Sequence, residues 1–343
     1  MGQKEKIEAI QGREYYWSRS ILGNDWAIFF ILLGAREAGK SYDVMDLFLR
    51  AWKKEKIPFY WLRLSETSTK KMLQNKAKKF IDADLVRKYK LELTVKGSDV
   101  YDHGKKMATV LPLSSMAKDK GVAFYDKDFL AKNPNMRYNI ALDEFQREKG
   151  EKNYFDIIYN LVNQLENLVR STKDRIRVFF IANALQEASD VLAAFNFIPE
   201  EFGIYKLRKK RCVIHYIPPS KAYLQRRKGS VADILLPQSS TFTNKIDVDK
   251  SLIYKGRLLR PIAVIKFTKD KSDWFTLWNS RIVAKYNGEK VQAIPMRPYL
   301  DEVFNTEARD NILVQFDNRY LFFRDLVTQK IFQKNLELLR PKK

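Results

Sequence analysis

The chain has one cysteine, Cys212, and two histidines, His103 and His215. A lone thiol cannot close a disulfide within the chain, and a Cys- or His-rich zinc site cannot be assembled from so few ligands. Long apolar runs are also missing. The longest, Trp26 to Leu33, falls far short of the roughly 20 residues that a bilayer-crossing helix needs. The start, MGQKEK, shows no apolar leader. Gly2 opens like a myristoylation signal, but Lys6 stands where Ser or Thr is required. A reducing, cytosolic compartment and no membrane partner are therefore expected. Acidic residues are in short supply: 41 Asp and Glu face 63 Lys and Arg, for a net charge of +22. Such an excess attracts polyanions, nucleic acid above all. What is present suffices for a core. Hydrophobic residues make up 45% of the 343 and aromatics 13%, which argues against disorder as the main state and allows two modest domains or one large one.

The run Trp26 to Leu33 is rich in aromatic and branched residues and predicts a strand buried on both faces, the habit of parallel sheets. A glycine-bounded loop follows from Gly34 to Ser41, then a helical pattern to about Lys54, then a second apolar run from Pro58 to Leu64. Residues 66–80 read as a lysine-rich helix. Leu91 to Leu113, broken by Gly97 and Gly104, reads as a β-meander or hairpin. Tyr138 to Leu142 and Arg177 to Ala182 read as central strands, with a helix over 154–170 between them. Strands alternating with helices predict an α/β domain with a mostly parallel sheet. The basic stretch Lys206 to Arg211, then Pro218-Pro219 and Arg226-Arg227-Lys228, predicts a linker subdomain. Alternating aromatic runs over 262–267 and 273–286 predict a smaller β-rich domain that ends in a helix near 321–339. The expected division is 1–200, 201–240 and 241–343.

Gly34-Ala35-Arg36-Glu37-Ala38-Gly39-Lys40-Ser41 fills every fixed position of the phosphate-loop pattern G-x-x-x-x-G-K-[ST]. Its glycines let backbone N–H groups wrap around phosphates, and the helix beginning at Lys40-Ser41-Tyr42 points its positive end at them. Lys40 would reach the outer phosphates of ATP, and Ser41 would ligate Mg²⁺. Tyr138 to Leu142 delivers Asp143 and Glu144 at a strand end. Asp143 would hold Mg²⁺ and Glu144 would orient and polarise the attacking water, the arrangement for hydrolysis. Asn183 ends the next predicted strand and either senses phosphate or caps the strand. Tyr15, Tyr16 and Trp17 are candidates for stacking on adenine or for the core. Arg147 and Arg170 are candidates for an arginine reaching a neighbouring subunit, while Arg36 and Arg63 could act within one chain.

Three segments together, Gly34–Tyr42, Leu142–Gly150 and Ile181–Ala184, resemble the DNA-packaging ATPases of phi-29-like short-tailed phages. The block Asp143 to Lys149, with Glu144, Phe145, Arg147 and Glu148, is the most specific part. The likeness covers about residues 25–200. It implies an additional-strand ATPase fold of the FtsK/HerA kind, a short linker, and a C-terminal domain like an RNase H-type nuclease that has lost its catalytic acids. It further implies a pentameric ring at the portal vertex of an empty capsid in the host cytoplasm, with double-stranded DNA, the portal connector and, in some relatives, a structured packaging RNA as partners. By motif, Lys40 and Ser41 carry over as phosphate and Mg²⁺ ligands and Asp143 with Glu144 as the acidic pair. Arg170 matches the family's trans-acting arginine, and Lys120 its inter-subunit lysine.

A ring translocase grips backbone phosphates with mobile positive loops. Lys105-Lys106 after Gly104, and Lys118 with Lys120 before Gly121, fit that description. Three other readings remain open at this level. One is a helicase or other oligomeric translocase. Another is a packaging enzyme with a working nuclease, built from Asp247, Asp249, Asp270, Asp273, Asp301 and Glu302. The third is an RNA-binding protein with a nucleotide switch.

Overall fold

A computed structural model describes residues 23–35, 38–114, 137–146, 156–169, 176–183, 189–235, 250–300 and 305–339. By compactness these fall into two units, one containing 23–183 and 199–235, the other 189–198 and 250–339.

The first unit is built on a nine-stranded sheet in the order β3-β4-β5-β2-β6-β7-β1-β9-β8. Its middle consists of β1 (Phe29–Gly34), β2 (Phe59–Arg63), β5 (Lys105–Pro112), β6 (Tyr138–Asp143), β7 (Ile176–Asn183) and β9 (Cys212–Tyr216). These six are mutually parallel. Parallel strands are covered on both faces, and β1, β2 and β6 accordingly read as largely apolar runs. Antiparallel strands close the two edges. β3 (Leu93–Lys96) and β4 (Asp99–Asp102) form the expected meander with β5, and β8 (Gly203–Leu207) pairs with β9.

Helix α1 (Lys40–Glu55) packs Val44, Met45, Phe48, Leu49 and Trp52 against the sheet, a 3.6-residue periodicity. Phe48 lies 5.2 Å from Phe59 and 5.5 Å from Phe179 between ring centroids. Lys56, at φ 55°, ends the helix and donates its N–H back to the Trp52 carbonyl. Helix α2 (Glu66–Ala77) starts on a Ser65 side-chain cap. The expected helix over 66–80 is interrupted: Asn75 and Lys76 sit in the left-handed region at φ 52° and 58°. Lysine-rich sequence with little apolar periodicity gives this segment little packing to hold a helix straight.

The largest departure from the sequence reading concerns the expected linker over 201–240. Residues 203–216 instead form β8 and β9, and β9 lies directly beside β1. The charges of Arg208 to Arg211 belong to the turn between these strands. They mask the short run Cys212–Tyr216, every residue of which is buried. Short helices α6 (Lys221–Arg227) and α7 (Val231–Leu235) follow, so helical structure does occupy the later part of the expected linker.

The second unit has five strands in the order β13-β10-β11-β12-β14. These are β10 (Pro261–Lys266), β11 (Trp274–Trp278), β12 (Ile282–Lys285), β13 (Gln292–Pro295) and β14 (Phe322–Phe323). Helices α8 (Thr306–Asp317) and α9 (Leu326–Leu339) belong to it, together with α5 (Asp190–Ala194); α3 (Ala83–Lys88) and α4 (Ile157–Val169) lie in the first unit. Phe332 is fully buried, with Phe267, Phe275 and Phe323 at 5.2, 5.2 and 5.5 Å. Among the described residues no helix is long and apolar enough to cross a membrane.

Candidate nucleotide site

The carboxyl ends of β2, β6, β7 and β1 lie side by side. In an open parallel sheet this is the edge where ligands bind. β1 stops at Gly34, where a Cβ would lie 3.0 Å from the Ile217 Cβ and 3.3 Å from its carbonyl oxygen. A larger residue there would press on that neighbour, which would have to give by a few tenths of an ångström. Gly39 adopts φ 78° immediately before α1, a conformation that favours glycine. No side chain caps the helix, so the first-turn N–H groups and the positive end of the helix dipole face the loop.

Lys40 is buried, with 5% of its surface exposed. Its Nζ donates to the carbonyls of Gly34 (3.1 Å) and Ala35 (2.5 Å) and lies 3.4 Å from Oδ1 of Asn183. Burial pulls its pKa down to about 8, against the opposing field of the Asp143 carboxylate. Asn183 reaches the ammonium because β7 pairs with β1 in the register Gly34 to Asn183.

Ser41 Oγ donates to Asp143 Oδ1 at 3.1 Å. The two residues expected to share a cation are thus in direct contact, although 102 residues apart in sequence. β6 is buried along its whole length and Asp143 is its last residue. Glu144 follows at φ 53°, its N–H donating to the Ile181 carbonyl at 2.8 Å. That turn releases its side chain from the sheet, leaving it 61% exposed.

Arg63, at the end of β2, has the most consequential contacts in the site. Its Nη1 lies 2.9 Å from Asp143 Oδ2, and its Nη2 pairs with Glu144 Oε2. One guanidinium therefore holds both acids. From the sequence Arg147 and Arg170 stood ahead of it, and Arg63 was, with Arg36, a candidate to act within one chain. Only the adjacency of β2 and β6, with Leu62 opposite Leu142, singles it out.

The structure gathers Gly34, Ala35, Ala38, Gly39, Lys40, Ser41, Asp143, Glu144 and Asn183 around one edge, with Tyr42 partly exposed on the first turn of α1. It does not bring Lys105 and Lys106 there. β5 starts at Lys105 and runs parallel to β2, which puts both lysines at the opposite end of the sheet. Lys106 pairs with Asp99 at 2.9 Å. Arg36, Glu37, Lys118, Lys120, Arg147 and Arg170 lie outside the described residues, as do Tyr15, Tyr16, Trp17, Asp247, Asp249, Asp301 and Glu302. The two remaining nuclease candidates serve local structure: Asp270 accepts from the Ser272 N–H at 2.9 Å, and Asp273 accepts from Thr268 Oγ1 and Asn335 Nδ2 at 3.0 and 3.2 Å.

A family model for the podovirus DNA encapsidation protein (Gp16) matches residues 11–288. The DNA packaging protein of Bacillus phage phi29 is 27% identical over 198 residues, covering 56% of this chain and 54% of that protein. The alignment thus spans about half the length of that relative. Two solved structures share the fold over 96% of this chain. They are the Phi-28 gp11 DNA packaging motor (TM-score 0.66, 13% identity, 99% of that chain) and the bacteriophage Phi-29 viral genome packaging motor assembly (0.61, 20% identity, 100% of that chain).

Proposed function

The chain belongs to the podovirus DNA encapsidation protein family, and we propose that it is the ATP-hydrolysing motor that drives double-stranded DNA into a preformed capsid. The observation that carries this reading is the convergence of Lys40, Ser41, Asp143, Glu144, Arg63 and Asn183 at one sheet edge. β7 lies between β1 and β6, which supports the additional-strand ATPase class and puts Asn183 between the phosphate loop and the acidic pair.

Mg²⁺ fits the site, because a hydroxyl and a carboxylate oxygen already face each other at 3.1 Å and hard cations take oxygen ligands. Ser41 and Asp143 would hold it, and its chemistry there is to neutralise phosphate charge. Lys40 would exchange two loop carbonyls for phosphate oxygens, gaining a charged acceptor in place of neutral ones. Arg63 holds Asp143 through Oδ2 and leaves Oδ1, the oxygen that faces Ser41, for the cation. The same guanidinium holds Glu144 Oε2, so that acid would have to leave Arg63 to polarise water, and hydrolysis would be restrained until it does.

Arg147 or Arg170 would complete the site of a neighbouring subunit in a ring, pentameric by family likeness, docked on the portal at the capsid vertex in the host cytoplasm. Lys105, Lys106, Lys118 and Lys120 would grip DNA, and a packaging RNA would be a further partner. The descent of the second unit from an RNase H-type nuclease is supported by the antiparallel succession β10, β11, β12 with β13 parallel to β10. Neither β10 nor β13 carries a carboxylate.

The test is DNase protection of linear DNA by empty capsids of the parent phage. Protection that requires this chain, ATP and Mg²⁺ is expected. Protection independent of ATP, or none with active capsids, would overturn the reading.

A further inference from the structure

Pro218 and Pro219, expected in a linker, instead follow β9 at the carboxyl end of the sheet, beside the phosphate loop. β1 lies between β7 and β9. Leu33 stands opposite Tyr216, and Ile217 continues that pairing, its N–H donating to the Leu33 carbonyl at 2.7 Å. The Ile217 carbonyl oxygen lies 3.3 Å from the position that a Gly34 Cβ would take. The far end of the segment is fixed as well. Ser220 caps α6 by accepting from the Tyr223 N–H at 3.1 Å, and both residues are buried.

Topology divides the nucleotide site between the two neighbours of β1. Lys40 faces Asn183 on β7, and Ser41 faces Asp143 on β6. The outer phosphates therefore belong on that side. A nucleotide held by them at the start of α1 extends its other end across β1, to where Ile217, Pro218 and Pro219 stand.

The backbone there is selective in its hydrogen bonding. A residue followed by proline is held extended, which applies to Ile217 and to Pro218. In an extended chain the N–H and C=O of one residue point to the same side, and the side alternates along the chain. Ile217 turns both groups toward β1. Pro218 then faces away and is buried, while Pro219, half-buried, faces the phosphate-loop side again. Proline brings a carbonyl acceptor and no N–H donor. Adenine carries an amine donor where guanine carries the acceptor O6. An apolar wall with a placed acceptor is the usual form of a small-molecule subsite. This one complements adenine and sets two acceptors face to face with guanine. We propose that Ile217–Pro219 is the adenine subsite and that Pro219 is its specificity-determining residue. This inference rests on the ATPase reading, which supplies the nucleotide, and adds the base that is chosen and the residue that chooses it.

The test measures binding to the full chain of ribose-labelled fluorescent ATP and GTP, with unlabelled purine riboside triphosphate, which lacks the amine, as a competitor. ATP should bind at least tenfold more tightly than GTP, and the amine-free analogue should compete about tenfold less well than unlabelled ATP, the worth of one hydrogen bond. Pro219→Ala restores an N–H beside the carbonyl. It should bring the two nucleotides to within about threefold of each other, chiefly by tightening GTP. Lys40→Ala, at the phosphate end, should weaken both by a similar factor and leave their ratio alone. Urea unfolding checks that each variant is folded. An ATP-to-GTP ratio unchanged in folded Pro219→Ala would overturn the proposal. So would an amine-free analogue that competes as well as ATP on the intact chain, a result that needs no variant. Failure of the ATPase reading looks different: the intact chain then binds neither nucleotide, and both claims fall together.

Discussion

Lys40 keeps its ammonium among loop carbonyls that water barely reaches, and burial holds its pKa near 8. Phosphate oxygens favour the charged form, so the bound-state pKa lies above that of the free protein. Below about pH 8 the charge is present in both states and ATP affinity should be flat. Above it, binding must take up a proton, and affinity should fall about tenfold between pH 8 and pH 9 to 9.5. Titration of a fluorescent ATP analogue at pH 7, 8 and 9 checks this; constant affinity to pH 9 would place the ammonium elsewhere. Arg63 makes a different prediction. Arg63→Gln frees Glu144 from the one side-chain clamp it has among the described residues, so hydrolysis without DNA should rise severalfold while analogue affinity changes little. A fall in basal turnover would mean that Arg63 assists the reaction instead of restraining it. The sequence displayed the phosphate loop and the acidic pair in full, because both are contiguous motifs. Arg63 could not be ranked, since its role depends on β2 lying beside β6, a long-range fact that no local pattern carries.

At the scale of elements, α1 ties the nucleotide edge to the meander strands. Asp102, 3% exposed, accepts from Trp52 Nε1 (2.9 Å), Lys53 Nζ (2.8 Å), the Glu92 N–H (3.0 Å) and the His103 ring. Burial alone would raise its pKa, but these donors outweigh it and hold the carboxyl well below the usual range. A depressed carboxylate pKa stabilises the fold above the unfolded value near 4 and loses that contribution as pH falls below it. Asp102→Ala leaves the Lys53 charge and the Trp52 N–H without their acceptor and should cost about 3 kcal/mol, read by urea unfolding at pH 7, with a smaller difference from the parent at pH 3. Equal stability at pH 7 would show that the meander is not anchored there. Most strands in this unit were legible from apolar runs. β9 was not, because five buried residues next to four cations look like part of a charged linker. The interruption of α2 at Asn75 was likewise invisible, since lysine-rich helices and lysine-rich turns differ little in composition.

For the whole molecule, the two compact units have separate cores. Phe332 sits at the centre of the second, so Phe332→Ala should destabilise that unit by about 3–5 kcal/mol while analogue binding in the first persists below its melting temperature. Joint loss of both signals would show that the units do not hold separately. The mostly parallel sheet of the first unit could be anticipated from alternating strand and helix patterns. The division between units could not, because residues 189–198 group with the C-terminal residues across a break in chain order. Glu144 is the residue that would activate water in a DNA-responsive ATPase. The most direct measurement is steady-state ATP hydrolysis by the intact chain and Glu144→Gln, with and without double-stranded DNA and with capsids present in both arms. DNA-stimulated turnover that falls by at least about 10²-fold in the variant, with analogue binding retained, is the predicted result. Turnover unaffected by the substitution would contradict it.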